Sequence, residues 1–591
     1  MCGIAGIFGS DWKKDQLEAM HFAQRHRGPD ASGMYIDPAG SCGLAHNRLS
    51  IIDLSEAGRQ PMCSADGNLQ IILNGEIYNY LELRRELEAE FTFRTRTDTE
   101  VLLAAFQKWG PAALDRLVGM FAFSVWNERD RSGFAARDRF GVKPLYYFKG
   151  DSGTLFMASE IKALHGAGIA RRPNESTWSD YLTHGLVDHS ENTFWENIHK
   201  LPAGHFLEWK NGRTRISKWY DLFERTGIDF DTRSPETVRD EYRELLKENV
   251  RLRFRADVPV GINVSGGLDS STLLGIIRAI DTSQASVTAY TFATGDERYD
   301  EIKWVRQMLA ETSHPHQIAW LSADEVPGLT QEIMTAQDEP FGGLPTLAYA
   351  KLFQLAKENG TTVLLDGNGM DEQWAGYDYY QIDRPTDGPS LQGSTESPIR
   401  PACLSPEFRG LGKRAQPITK YPDQLRNLQL RDTTVTKIPR AMRFNDRVSM
   451  HYATELREPF LDHRLFEIAF RQPLERKISD GKGKMMLREI VKEIVPQDLA
   501  YAPKRPLQTP QREWLRGELR DWAESQIENA ISGFGSHWLD RAKVRREWET
   551  FCSGASDNSF YVWQWISLGL CSVGSPAMTA DRLPAAVGAR R

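Results

Sequence analysis

Val258, Val260, Ile262 and Val264 alternate with their neighbours at the period of two expected of a half-buried strand. Ser265-Gly266-Gly267 then removes side-chain bulk, and Leu273, Leu274, Ile276, Ile277 and Ile280 recur at helical spacing. Strand, glycine turn and helix, in that order, offer backbone N–H groups to a phosphate at a helix N-terminus. A second apolar run, Val287–Ala293, and a third, Val363-Leu-Leu365, follow, with helical patterns such as Trp304–Leu309 between them. This alternation predicts a parallel α/β sheet, whose ligands lie beyond the strand C-termini. Thr294, just past the second strand, is therefore a candidate adenine contact. Val238, Tyr242, Leu245, Leu246 and Val250 mark a helix ahead of the first of these strands.

The first two hundred residues carry a different pattern. Gly119–Trp126 and Ala135–Tyr147 read as strands around a charged turn, and Phe156–Ala163 as the start of a short helix. Tyr80, Leu83 and Leu87 stripe an amphipathic helix. Thr97-Asp-Thr-Glu100 reads as a capping box opening a helix through Val101, Leu102, Phe106 and Trp109, with Gly110 as its stop. Polar residues 225–235 suggest a linker, and Pro, Gly, Ser and Thr in 381–430 suggest a loop or partly ordered insert. The expected division is a first domain at 1–210, a linker at 211–235, a second domain at 236–575 and a disordered tail at 576–591.

A chain of 591 residues exceeds one hydrophobic core. Its net charge of −7 leaves no electrostatic footprint for nucleic acid. No apolar run approaches the ~20 residues of a membrane span. The apolar start Met-Cys-Gly-Ile-Ala-Gly-Ile-Phe8 lacks a basic leader, so it does not read as a signal peptide. Six cysteines without metal-type spacing fit a reducing cytoplasm. His314-Pro-His316 reads as a loop rather than a metal site.

The string Ser265-Gly-Gly-Leu-Asp-Ser-Ser271 does not end in the Gly-Lys-Ser/Thr of the common nucleotide loop. It resembles instead the pyrophosphate loop of ATP-pyrophosphatases, which split ATP into AMP and pyrophosphate. Val264, Ser265, Gly266, Gly267, Asp269, Ser270 and Ser271 are then the candidate ATP and pyrophosphate contacts. An acid at position 269 suits a magnesium ion bridging phosphates, and such an ion takes one or two carboxylates. Asp371, in the glycine-rich turn Asp366-Gly-Asn-Gly-Met-Asp371, is the natural second ligand.

At the other end, Cys2 would become the N-terminal residue on loss of Met1. It would then carry a thiol and an α-amine on one Cα, nucleophile and general base together. Cys2-Gly-Ile-Ala-Gly-Ile-Phe8, His26-Arg-Gly-Pro-Asp30, Ala45–Asp53, Leu73-Asn-Gly-Glu-Ile-Tyr-Asn79 and Arg96-Thr-Asp-Thr-Glu100 follow in order. Together they resemble the N-terminal-nucleophile glutaminase domain of glutamine amidotransferases. That resemblance implies hydrolysis of the glutamine amide through a cysteinyl thioester. Asn74 and the Gly75 N–H can supply two donors to the oxyanion. Arg48 offers a planar cation to the glutamine α-carboxylate. Asp98 and Glu76 can receive the α-ammonium, and Leu49, Ser50, Ile51 and Ile52 complete the expected glutamine site.

These parts, in this order, resemble the glutamine-hydrolysing asparagine synthetase family over nearly the whole chain. The family implies an αββα glutaminase domain followed by a parallel α/β ATP-pyrophosphatase domain with helical additions. It implies ATP and Mg²⁺, an acyl-adenylate that ammonia attacks, an internal ammonia tunnel and often a homodimer. Lys484 stands four residues before Arg488, where the family's Lys-x-x-x-Arg pattern places a catalytic lysine, with Lys482 as the fallback. Asp366 and Gly367 fall beside the nucleotide. The chain departs from the family at Asn368, where the family carries Glu in Ser-Gly-Glu-Gly; an amide cannot act as a carboxylate base. Aspartate is the expected acceptor, and another carboxylate, such as a uronic or natural-product acid, is the alternative.

Overall fold

The computed structural model describes residues 1–280, 287–310, 314–381, 397–502, 509–556 and 558–573. The N-terminal part contains twelve strands: β1 (Gly3–Phe8), β2 (Ala31–Ile36), β3 (Cys42–Arg48), β4 (Met62–Cys63), β5 (Leu69–Ile77), β6 (Gly119–Asn127), β7 (Ser132–Arg137), β8 (Tyr146–Lys149), β9 (Leu155–Ala158), β10 (Ile198–Lys200), β11 (His205–Lys210) and β12 (Arg213–Lys218). They form two six-stranded antiparallel sheets, ordered β10-β8-β9-β1-β3-β2 and β12-β11-β7-β6-β5-β4. Phe8, Leu44, Ile72, Ala122, Trp126 and Leu207 fill the space between the sheets. Helices Lys14–Ala23 and Ile161–Gly166 cover the outside of one sheet, and Tyr80–Leu87 and Asp98–Trp109 cover the other. Each sheet thus buries both faces, giving the four layers αββα.

Further along, β13 (Val260–Asn263), β14 (Thr288–Ala293), β15 (His316–Trp320), β16 (Val363–Leu365) and β17 (Glu455–Arg457) form one parallel sheet ordered β15-β14-β13-β16-β17. Every pairing in it is parallel. Helices Pro235–Arg253 and Leu268–Ala279 lie on one face, and Leu344–Glu358 and Ile438–His451 on the other. The central strands β13 and β16 are largely apolar and buried because both faces are covered, whereas β15 at one edge carries exposed positions and β17 at the other buries Glu455 and Arg457. Strand order reverses at β13, which places the glycine turn after Asn263 at the sheet's switch point.

An apolar seam joins the two parts. Met1, Leu49, Ile51, Ile52, Tyr78, Phe140 and Val142 meet Ile438, Met442, Met450, Leu461, Phe466 and Phe470. Charged groups run along the same seam. Arg27 donates to Glu160 at 2.8 Å and, across the seam, to Asp446 at 2.9 Å, with Arg27 and Glu160 fully buried. Arg447 reaches Glu160 from the far side at 3.2 Å. The Met1 ammonium contacts Glu455 at 2.9 Å.

Several local expectations need correction. Phe156–Ala158 is strand, not helix; a short apolar run fits either, and here pairing with β1 at Ala5↔Ala158 decides it. The run Ala135–Tyr147 is broken after Arg137. The Asp138 carboxylate there gathers the N–H groups of Phe121, Phe140, Val142 and Lys143 into a tight loop. His316 opens β15 rather than lying in a loop. Within the expected insert, residues 382–396 lie outside the described residues, but the remainder is built. Helices Pro406–Leu411 and Gln424–Arg431 are capped by Ser405 and Asp423. The expected tail at 576–591 also lies outside the described residues. The capping box at Thr97 is half made. Thr97 accepts from the Glu100 N–H at 3.2 Å, while the Glu100 carboxylate turns to the N–H groups of Arg94 and Thr95.

Candidate functional site

Cys2 precedes β1 at the middle of its sheet, and its backbone is clamped on both sides. Its N–H donates to Asn74 Oδ1 at 3.1 Å, and its carbonyl accepts from Arg27 Nε at 2.9 Å. Burial pushes its thiol above the ordinary value, opposed by the nearby chain ammonium. Asn74 is fully buried on β5 and spends its oxygen on Cys2, so its Nδ2 has no hydrogen-bond partner among the described residues. A buried amide N–H without an acceptor costs free energy unless a ligand supplies one. Gly75 follows at φ +152°, where an added Cβ would stand 2.1 Å from the Met120 carbonyl. Only glycine fits there.

Arg48, at the end of β3, turns into the loop that follows it. Its guanidinium donates to Ser55 O at 2.7 Å, to Ile52 O at 3.2 Å and to the Asp53 carbonyl. Leu49, Ile51 and Ile52 line the seam beside it, and the Ser50 N–H is held by Asp30 at 2.7 Å. Asp98 opens its helix as expected, and its Oδ2 accepts from the Ile77 N–H at 2.9 Å. Burial pushes this carboxyl up to about 6. Glu76 is buried as well. Burial and then the charge of Glu455 push it well up, and Arg457 stands 3.8 Å away. Cys2, Asn74, Gly75 and Glu76 are thus brought together, with Arg48 and Asp98 reaching the same region from β3 and the β5 neighbour helix.

On the parallel sheet, the turn Val264–Gly267 leads into helix Leu268–Ala279 with Gly267 as its N-cap. Ser270 Oγ contacts Ser265 Oγ at 3.2 Å and donates to the Ser265 carbonyl, which fixes the turn. An added Cβ at Gly266 would stand 2.4 Å from Trp304 Cβ, so the close approach requires glycine. Ser271 Oγ is buried without a hydrogen-bond partner among the described residues. Asp269 lies in the helix's first turn. Lys484 Nζ reaches its carboxylate at 2.6 and 2.7 Å and the Asp371 carboxylate at 2.7 Å. Burial works against charge on Lys484, yet the two carboxylates outweigh it and hold the ammonium above its usual range. Lys482 is exposed, whereas Lys484 is buried against both carboxylates.

Past β16, Asp366 is buried, and both of its oxygens are engaged, by the Gly367 N–H at 2.6 Å and the Tyr349 hydroxyl at 2.9 Å. Asn368 Nδ2 donates to Glu458 Oε1 at 3.1 Å. Burial and then neighbouring Asp366 push the Glu458 carboxyl up to about 8. Thr294 is tied by its N–H and hydroxyl to Asp300, at 2.7 and 3.0 Å, within the turn after β14. Among the described residues, no three His, Cys, Asp or Glu side chains cluster as a metal site. Nor is any helix long and apolar enough to cross a membrane. All six cysteines are free.

Sequence reasoning missed Glu458, Tyr349 and Arg27 as members of these sites. Tyr349 lies on a helix whose apolar stripe disguised it. Glu458 lies inside the family-like run Arg447–Asp462, with nothing in that run to single it out. Its signal was the loss of a carboxylate at 368, which invites a search for one nearby.

Comparison with known proteins then gives a consistent picture. Residues 1–220 match the family described as glutamine amidotransferase domain, and residues 241–573 match asparagine synthase. Glutamine-hydrolyzing asparagine synthetase 1 of Bacillus subtilis (strain 168) is 30% identical, covering 95% of this chain and 95% of its own. Glutamine-hydrolyzing asparagine synthetase 3 of the same organism is 30% identical over 93% of this chain and 94% of its own. Amidase chry2 of Gibberella zeae is 27% identical over 88% of this chain and 90% of its own.

Proposed function

The chain belongs to the asparagine synthase family, as a glutamine-dependent amidotransferase ligase, and we propose that it amidates aspartate to asparagine at two linked sites. In the first, loss of Met1 frees the Cys2 α-amine, which takes the thiol proton. The sulfur attacks the glutamine amide carbon. Asn74 Nδ2 and the Gly75 N–H receive the oxyanion, ammonia leaves, and water releases glutamate from the thioester. Arg48 and its loop receive the α-carboxylate, and Asp98 with Glu76 the α-ammonium.

In the second site, the acceptor carboxylate oxygen attacks the α-phosphorus of ATP, the bond to the β-phosphate bridge breaks, and pyrophosphate leaves. Ammonia then attacks the acyl carbon and AMP departs. The turn Ser265–Ser271 cradles the pyrophosphate, and Lys484 offsets the charge that develops on the phosphates. Asp269 and Asp371 fit a magnesium ion, since two converging carboxylates plus phosphate oxygens suit that hard cation. When bound, it would neutralise phosphate charge. What carries the ligase reading is the meeting of Asp269, Asp371 and Lys484, drawn from three distant stretches, at the end of a glycine turn.

One observation favours another acceptor as the second reading. A cavity of about 1230 Å³ is lined by Arg409, Arg414, Lys437 and Arg440 with Leu186 and Ile418. Lys437 there stands 5.0 Å from the ring of Tyr377, which adjoins the Asp371 turn. A cationic, partly apolar space of that size suits an acid larger than aspartate. Pyrophosphate release from ATP with a panel of acids decides between them. Release and asparagine formation with aspartate support the first reading; silence with aspartate and release with a larger acid support the second. Cys2→Ala should abolish glutamine-driven amidation yet keep amidation with added ammonium. Loss of both in a folded variant would contradict the two-site scheme.

A further inference from the structure

Amide formation from ammonia and an acyl-adenylate produces a proton as the C–N bond forms and the bond to AMP breaks. A carboxylate at the carboxyl edge of the parallel sheet is suited to receive it. Asn368 cannot, because an amide nitrogen is no base at neutral pH. Asp269 and Asp371 are occupied by Lys484. Both oxygens of Asp366 hold donors. Glu458 stands directly after β17, where the Asp366 N–H donates to the Arg457 carbonyl at 3.0 Å, so it projects from the same edge as the loop after β16. Only 3% of its surface is exposed. Asn368 holds Oε1, and Oε2 has no hydrogen-bond partner among the described residues.

Glu458 also lies toward the N-terminal part of the molecule. Lys143, fixed by the Asp138 loop, is buried and reaches the carbonyl of Leu456, two residues earlier, at 3.5 Å. We propose that Glu458 Oε2 takes the proton from the attacking ammonia in the synthetase half-reaction, with Asn368 acting as a positioning residue that holds the carboxylate by its other oxygen. The nitrogen lone pair forms the C–N bond, the acyl–phosphate C–O pair leaves with AMP, and the N–H proton passes to Glu458. Burial and Asp366 together raise this carboxyl into the range where it exchanges protons near neutrality, which suits that task.

The inference rests on the ligase reading, and its test separates the two. Wild type, Glu458→Gln and the exchange variant Asn368→Glu/Glu458→Gln are compared with ATP, ammonium and the acid that wild type accepts. Pyrophosphate release and amide formation are measured separately. In a single turnover, Glu458→Gln should release its first equivalent of pyrophosphate within about threefold of the wild-type rate while amide formation falls about 10²-fold or more. The exchange variant, which returns a carboxylate to the pair, should recover at least about tenfold of the lost amidation. Amide formation by Glu458→Gln near the wild-type rate would overturn the assignment. So would an exchange variant that releases pyrophosphate but does not amidate. No pyrophosphate release by wild type with any acid would instead defeat the ligase reading itself.

Discussion

Lys484 Nζ lies 2.6 Å from Asp269 Oδ1, at the mouth of the turn that begins with Ser265. The lysine comes from a residue at φ +62°, just ahead of helix Met485–Val491, and is nearly buried. Gly376 makes room for it, since an added Cβ there would stand 2.3 Å from Lys484 Cε and 1.8 Å from Asp371 Oδ1. The ammonium thus neutralises two acids that would otherwise repel each other in a partly desolvated site. Phosphate and a divalent cation would divide this arrangement, the acids going to the metal and the lysine to the phosphate.

Lys484→Met should therefore lower acid-dependent pyrophosphate release by about 10²- to 10³-fold, the loss typical of one preorganised charge-stabilising group. Glutamate release from glutamine, a reaction of the other half, should stay near wild type. Wild-type pyrophosphate release by this variant would remove Lys484 from the chemistry.

Glutamine affinity should depend on pH through Asp98. Burial pushes its carboxyl up to about 6, against the opposing hydrogen bond from the Ile77 N–H. Above that pH it is ionised and attracts the glutamine ammonium; below, it is neutral and does not. KM for glutamine should rise as pH falls through about 6, while ammonium-driven amidation shows no such step. Asp98→Asn should give a high KM that lacks the step near pH 6. For stability the sign is reversed. A carboxyl raised in the folded state contributes stability that is present below its unfolded value and lost as pH rises through about 6.

Arg27 tests the seam. It is fully buried between Glu160 and Asp446 and also holds the Cys2 carbonyl. Arg27→Met leaves the Asp446 carboxylate without that partner, and removing one member of a buried pair costs about 3–5 kcal/mol. A drop of that size should appear in the unfolding free energy from denaturant titration, together with loss of glutaminase activity. Unchanged stability would mean that Asp446 is satisfied without the guanidinium.

What the sequence made legible was the chemistry carried by contiguous strings. The turn at Ser265–Ser271, the Asn74-Gly75 pair and the opening acid at Asp98 each sit within a few residues of their own signals, and the elements around them form as their periodicity indicates. Contacts between remote stretches were not legible. Glu458 meets Asn368 across 90 positions, Arg27 meets Asp446 across 419 and Met1 meets Glu455 across 454. No local pattern encodes such distances. Short apolar runs failed for a different reason: Leu155–Ala158 has no period long enough to tell strand from helix, and only the presence of β1 settles it. The helices within 397–430 were hidden by Pro, Gly and Ser, which mark caps as readily as loops.

The crossed charges of the seam bear on attempts to recombine such chains. An N-terminal module borrowed from a relative would bring its own surface against Asp446 and Arg447, and these two are matched here by Arg27 and Glu160. A graft lacking those partners would bury unmatched charge rather than lose a few surface contacts. Module exchange in this chain therefore has to carry both sides of the pairing, and the practical crossover point is set by who neutralises whom.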